Sequence, residues 1–337
     1  MTPKIYVNVS FILISLIAPI TIVIKAQAQD TTPLRLVQTI PLPNVEGRID
    51  HLAVDIKGQR LFIAALGNNN LEVLDLRAAK LIHRITGLHE PQGVFYVPEV
   101  KKVFVANGGN GALEIFDSDS FKLIDSVKFS DDADNIRYDA IAKYIYVGYG
   151  DGALGIIDAT SGKHIGDIEL KGHPESFQIE NSGARIFVNI PMVNHIAVVD
   201  RKKRIVVTTW PLTGARENFP MALDEINHRL FVGLRKPAKL VVFDTESGKA
   251  VISMSGAGDA DDIFYDAAHK RIYMSCGEGF INVFQQGGAD HYKIIANIPT
   301  ASGARTSLFV PELNRFYLAV PHHGSQRAEV RIYEVLQ

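Results

Sequence analysis

Arg60-Leu61-Phe62-Ile63-Ala64, followed after a Gly-Asn turn by Leu71-Glu72-Val73-Leu74-Asp75-Leu76, decides the fold, because the same pair of phrases returns six more times. Aligned on the aromatic residue, the copies fall at Phe62, Phe104, Tyr146, Phe187, Phe231, Tyr273 and Tyr317, with gaps of 42, 42, 41, 44, 42 and 44 residues. Short β-rich phrases at a period of about 40 read as propeller blades of four strands each. Helical repeats of that length would place apolar residues at a 3.6-residue period, and no stretch of the array does so. The expected architecture is all-β, a seven-bladed β-propeller of four-stranded antiparallel blades forming a single domain over residues 29–337.

Each of the first six repeats supplies an inner strand, the aromatic strand, a third strand ending near Asp, and a fourth such as Lys80 to Ile85. The seventh stops after Val330-Arg331-Ile332-Tyr333-Glu334-Val335 and lacks its fourth strand. Leu34 to Ile40 reads as a strand with no local partner, closed off by Pro41 and Pro43. Inserted into the last blade, it would close the ring and remove the open edges that invite aggregation.

Composition sets the remaining bounds. The 337 residues include 27 Gly, 15 Pro and one Trp at a formal charge of -2, an ordinary soluble balance rather than a disordered or collagenous one. Residues 1–28 differ. Lys4 begins a short basic region, an apolar run extends from Ile5 to Ile24, and Ala26-Gln27-Ala28 places small residues before Gln29. That is the pattern of a secretory signal; an uncleaved anchor is the alternative, since the run is about long enough to span a bilayer. Either way the propeller is expected to be periplasmic or secreted, with no stable membrane span once the signal is cleaved. Loss of Lys4 and Lys25 takes the charge from -2 to -4. Nucleic acid is not an expected partner, because a phosphate-backbone binder carries a basic stripe. The one basic run, Arg201-Lys202-Lys203-Arg204, falls at a tight turn between outer strands and reads as a solvated face. The single Cys276 follows Ile272-Tyr273-Met274 and is expected as a buried small hydrophobe.

Third strands end in Asp75, Asp117, Asp158, Asp200 and Asp244, each opening a turn. Equivalent aspartates on five blades point to turn chemistry, the carboxylate accepting backbone N–H bonds, rather than to catalysis.

Tyr144-Ile145-Tyr146-Val147-Gly148, Arg229-Leu230-Phe231-Val232-Gly233 and the turns Asp158-Ala159-Thr160-Ser161-Gly162-Lys163 and Asp244-Thr245-Glu246-Ser247-Gly248-Lys249 resemble YVTN-family β-propeller repeats, from residue 34 to the end. Asp50-His51-Leu52-Ala53-Val54-Asp55, Glu90-Pro91-Gln92-Gly93-Val94, Gly172-His173-Pro174-Glu175-Ser176 and Gly303-Ala304-Arg305-Thr306-Ser307 are similar to phrases of an exported bacterial subgroup. The resemblance implies the seven-bladed fold and export, and assigns no activity. The repeat is not of the WD type, since the only Trp is Trp210.

Loops entering the inner strands of a propeller crowd around one mouth of the central channel, so equivalent positions form rings. Five residues before the end of each inner strand stand Asp50, Gln92, Asp134, Glu175, Phe219, Asp261 and Arg305. The next position adds His51, Gly93, Asn135, Ser176, Pro220, Asp262 and Thr306; two positions before the first ring come Arg48, Glu90, Asp132, His173, Glu217, Asp259 and Gly303. Solvation alone would accept Ser, Thr or Lys, whereas Asp, Glu, Asn, Gln and His are the side chains that bind Ca²⁺ or a harder transition ion. Converging like charges repel unless a cation or an Arg sits among them. The leading expectation is internal pairing of these carboxylates with Arg48, Arg216 and Arg305; the alternative is that Asp50, Asp134, Glu175 and Asp261 are ligands of a divalent cation such as Ca²⁺. A second set of loops on the same face contains Arg235-Lys236 and, after Pro321, the pair His322 and His323, whose reach to the mouth would make them ligands or bases.

No Gly-x-Ser-x-Gly elbow, P-loop or Cys-x-x-Cys-His is present. Two functions remain. One is an exported propeller that binds a small molecule or an exported protein partner at the acidic mouth. The other is a metal-dependent, lactonase-like hydrolase using the same site.

Overall fold

A computed structural model describes residues 1–6 and 32–337. The expected secretory signal falls largely outside the described residues, and residues 1–6 have no regular secondary structure. Among the described residues there are 28 strands and three single 3₁₀ turns, and no helix is long and apolar enough to cross a membrane.

The strands form seven four-stranded sheets, each antiparallel throughout. Blades 1 to 6 are consecutive: blade 1, for example, comprises Leu52–Asp55, Arg60–Ala65, Asn70–Asp75 and Lys80–Thr86. Blade 7 takes Ser307–Val310, Arg315–Val320 and Glu329–Val335, and its outermost strand is Leu34–Pro41. Leu34 stands opposite Val335 and Ile40 opposite Val330, with a bulge between Leu36 and Gln38. The missing fourth strand of the last repeat is thus supplied by the first strand of the propeller.

The apolar runs of the second strands follow from burial on both faces. Side chains alternate across a strand, and each blade is covered by a neighbour on either side. Phe62, Leu71 and Val73 of blade 1 pack on Val94, Val103 and Val105 of blade 2. Leu61 and Ile63, on the opposite face, pack on Tyr317, Val330 and Ile332 of blade 7. The core is accordingly seven interblade clusters, and all seven repeat aromatics lie within them, at most 2% exposed.

On the face where inner strands end, the five turn aspartates do what their repetition implied. Asp75 Oδ1 accepts the Arg77 and Ala78 N–H groups at 2.8 Å, and Asp158 and Asp244 accept those of Ser161 and Ser247 at 2.7 and 2.8 Å. Asp117 and Asp200 do the same with Ser120 and Lys203. A basic residue opening the second strand then ties each of several blades to the next. Lys102 Nζ reaches the Thr160 carbonyl at 2.6 Å, Arg185 the Thr245 carbonyl at 2.7 Å and Arg229 the Asp290 carboxylate at 2.5 Å, while Arg60 bonds the Ser118 carbonyl. Arg201 to Arg204 occupy the expected turn between outer strands. Cys276 is fully buried at the end of its strand.

Candidate functional site at the channel mouth

The opposite face, where inner strands begin, carries the site. All seven members of the first ring, Asp50, Gln92, Asp134, Glu175, Phe219, Asp261 and Arg305, line one cavity of 170 Å³, together with Arg48, His51, Asp132, His173 and Arg235. The position two residues before the ring is left-handed in five blades: Glu90, Asp132, Glu217 and Asp259 have φ of 51°, 30°, 63° and 56°, and Gly303 has 79°. Non-glycine residues are strained there. The turn aims the residues that follow into the channel, and strain of this kind gathers at functional sites.

The mouth divides into two halves. On one side the arginines are paired. Arg48 meets Asp50 at 2.5 Å, Arg305 meets Asp259 at 2.9 Å and Asp261 at 3.1 Å, and Arg235 bonds Asp261 while its guanidinium lies 3.8 Å over the Phe219 ring. Phe219, the one apolar member of the ring, is a cation–π platform.

On the other side, among the described residues, no arginine forms an ion pair, and Arg235 reaches Glu175 only through its field. Single ligand atoms of Asp134, His173 and Glu175 all lie within 4.8 Å of one another, a spacing a metal ion could bridge. The His173 ring is fixed by its Nδ1–H, which donates to the Gly150 carbonyl at 2.7 Å; Nε2 then faces Asp132 and Asp134 at 3.8 and 3.9 Å. Such a carbonyl partner is how a metal-binding histidine is usually oriented. Gln92 Nε2 donates to Asp132 at 2.8 Å. Asn135, 2% exposed, sits behind Asp134 with its Nδ2 at 3.3 Å and its Oδ1 unpartnered. Among the described residues no hydrogen bond or ion pair reaches the Glu175 carboxyl.

Titration reflects this division. Burial, with the neighbouring Asp134 and Asp261 charges, pushes Glu175 up to about 8. Burial opposes the charge on His173, but the Asp134 carboxylate and the Gly150 carbonyl outweigh it and raise the ring to about 9. Asp134 is held below the usual carboxylate range, because His173 and His51 overcome its burial. Asp261 is raised by burial and by Asp50 and Asp262, against the pull of Arg235 and Arg305. His51 lies between Asp50 at 3.7 Å and Asp262 at 3.6 Å; burial disfavours its charge, yet Asp262 and then Asp50 carry it up to about 10. Both shifts favour the protonated forms of His173 and Glu175.

Several expected site residues stand elsewhere. Arg216 is exposed at the start of its strand and lines an open hollow with Lys236, so Arg235 takes the pairing role expected of it. Glu90 is exposed at the rim, where its N–H donates to Asn69. His322 pairs with Glu46 at 2.8 Å, and His323 is exposed and bonds its backbone to Gln326; neither lines the mouth cavity. Asp262 faces the channel below, its Oδ2 accepting the Ser307 N–H at 2.7 Å. Of the four expected cation ligands, Asp134 and Glu175 come together, whereas Asp50 and Asp261 are engaged by arginines. The third member of the trio is His173, expected only as a general ligand-binding residue. His173 and Glu175 stand two positions apart in the loop before the Phe177–Ile179 strand, and that spacing in the Gly172–Ser176 phrase is the sequence signal for the pair.

No protein-family model matches the sequence, and no curated protein does. Among solved structures the chain is similar to a chain of hydrazine synthase from Kuenenia stuttgartiensis, with a TM-score of 0.73 at 16% identity over 82% of this chain and 94% of that one. It is also similar to a chain of the mitotic checkpoint complex, with a TM-score of 0.76 at 14% identity over 98% and 100% of the two chains. At such identities the likeness is one of fold, the seven-bladed propeller.

Proposed function

We propose that the chain is an exported propeller of the YVTN type that binds a small ligand at its channel mouth through a divalent cation held by Asp134, His173 and Glu175. One observation carries this reading: the Glu175 carboxyl has no hydrogen-bond or ion-pair partner among the described residues and stands beside Asp134 and His173 at a spacing one ion bridges. An ion there would offset the burial and the carboxylate repulsion that raise Glu175. A set of one imidazole and two carboxylates suits Zn²⁺ or Mn²⁺ better than Ca²⁺, which prefers oxygen alone. Arg48, Arg235 and Arg305 across the cavity would orient an anionic group of the ligand. A concave site of 170 Å³ suits a small molecule better than a protein surface, although propellers also act within assemblies, as the checkpoint-complex likeness illustrates.

A metal-dependent, lactonase-like hydrolysis is the second reading, favoured by a further carboxylate beside the trio. Asp132 faces His173 at 3.8 Å without being one of the three ligands, and would accept a proton while the ion polarises a carbonyl. Calorimetric titration of chelator-treated protein with Zn²⁺, Mn²⁺ and Ca²⁺ tests the cation. One ion per chain is expected, lost in Glu175→Gln and Asp134→Asn; no stoichiometric binding of any of the three contradicts the reading. Turnover of simple lactones by the loaded protein alone would select the hydrolase.

A further inference from the structure

Below the mouth, with His51 lining both, the central channel encloses a second cavity of 250 Å³. Its wall is built by equivalent positions of the inner strands, those paired with the repeat aromatics. Four blades place Phe95, Gln178, Phe264 and Leu308 there, blade 3 places Arg137, and the equivalent Ala53 and Ala222 are too short to reach the cavity. Arg137 donates to the Ile136 carbonyl at 2.8 Å and the Ser176 hydroxyl at 3.2 Å, and lies 5.6 Å from the Phe177 ring centre. No carboxylate forms an ion pair with it among the described residues.

The other charges in the channel are already answered. Asp262 accepts the Ser307 N–H at 2.7 Å and faces His51 at 3.6 Å, and His51 is shared with Asp50. Arg137 has no ion-pair partner among the described residues, Asp262 and Asp134 reaching it only through their field; beside Asp262, Ser176, Gln178 and Ser307, the wall is apolar at Val94, Phe95, Ile263, Phe264 and Leu308. A guanidinium in such a setting is suited to a planar anion held by charge-assisted hydrogen bonds.

We propose that the central channel is a binding site for a small aliphatic carboxylic acid, its carboxylate on Arg137 and its chain against the apolar wall. The site is separate from the cation trio at the mouth and does not require it. Calorimetry with sodium acetate, butanoate and hexanoate tests it in the wild type, in Arg137→Met and in the mouth variant Asp134→Asn/Glu175→Gln. Affinity should rise about fourfold per added methylene, and Arg137→Met should weaken hexanoate by about tenfold or more. The mouth variant should bind hexanoate at least as tightly as the wild type, because it removes a carboxylate whose field reaches Arg137, so failure of the cation reading is read separately. If Arg137→Met does not fold, Arg137→Gln removes the charge with less change in polarity, and the same loss is expected. Absence of hexanoate binding to the wild type, equal binding by an uncharged variant, or equal binding of hexanamide overturns the proposal.

Discussion

The two faces of the propeller are built from the same seven repeats and treat charge in opposite ways. Where the inner strands end, one solution recurs from blade to blade: an aspartate caps its own turn, and a basic residue reaches the next blade. Arg185 shows its completeness, with Glu180 at 2.6 and 2.9 Å and the Thr245 carbonyl at 2.7 Å. At the mouth no two neighbouring blades repeat a residue in the first ring. There the arginines gather on one side, and Glu175 is left without a partner. A residue type that recurs at the repeat period serves the fold; where the period is broken by charged groups, the arrangement is free of that demand, which is why the proposed ligand site is placed there.

Variants that break this contrast should differ in size of effect as well as in kind. The largest concerns closure. Deleting residues 32–40 removes the outer strand of blade 7, including Leu34 and Ile40, both at most 2% exposed. Burial of those two side chains alone contributes about 5 kcal/mol, so chemical denaturation should show at least that loss. An unchanged midpoint would mean that the ring does not depend on this strand.

Next comes the repeated face. Arg185→Ala leaves the buried Glu180 carboxylate without its bidentate partner and should destabilise by about 3 kcal/mol, with cation binding at the mouth untouched. Loss of binding in this variant would show that the two faces are not independent.

Glu175→Gln should act in the other direction. Because its folded value of about 8 lies above the ordinary 4.5, Glu175 contributes stability below pH 4.5 that is lost as pH rises through 8. The folded state binds the extra proton across that window, so wild-type stability should fall with rising pH. The variant should show a flatter profile and be the more stable of the two at pH 8. A parallel profile in the two proteins would indicate that Glu175 titrates normally. The smallest effect is expected for His322→Ala/His323→Ala, which touches Glu46 and Gln326 at the rim and should change neither cation binding nor midpoint measurably.

Much of this was legible in the sequence, for reasons visible in the same contrast. The period located every inner strand, and counting back five residues from each strand end, four in blade 4, recovers the whole first ring, because strand geometry fixes which residue emerges at the mouth. Closure by Leu34 to Ile40 followed from a missing strand. The pairing within the mouth did not follow. Arg216 lies nearer the ring in sequence than Arg235, yet it is exposed at its strand's outer end, while Arg235 enters from the opposite strand of the hairpin and settles over Phe219. That arginine, with Arg48 and Arg305, decides which carboxylates are taken and so leaves Asp134 and Glu175 to His173. Arg137 stood in view as the one charged member of its register position, but its meaning required knowing that no carboxylate meets it.

The central claim, that the unpaired half of the mouth holds a cation, is tested most directly by measuring Zn²⁺ and Mn²⁺ affinity from pH 6 to pH 9. Binding must displace the protons that His173 holds up to about 9 and Glu175 up to about 8. The account predicts affinity that climbs steeply with pH in the wild type and is lost in Asp134→Asn/Glu175→Gln, while that variant's metal-free thermal midpoint at pH 8 equals or exceeds the parent's. Affinity independent of pH, or equal in the two proteins, would contradict it.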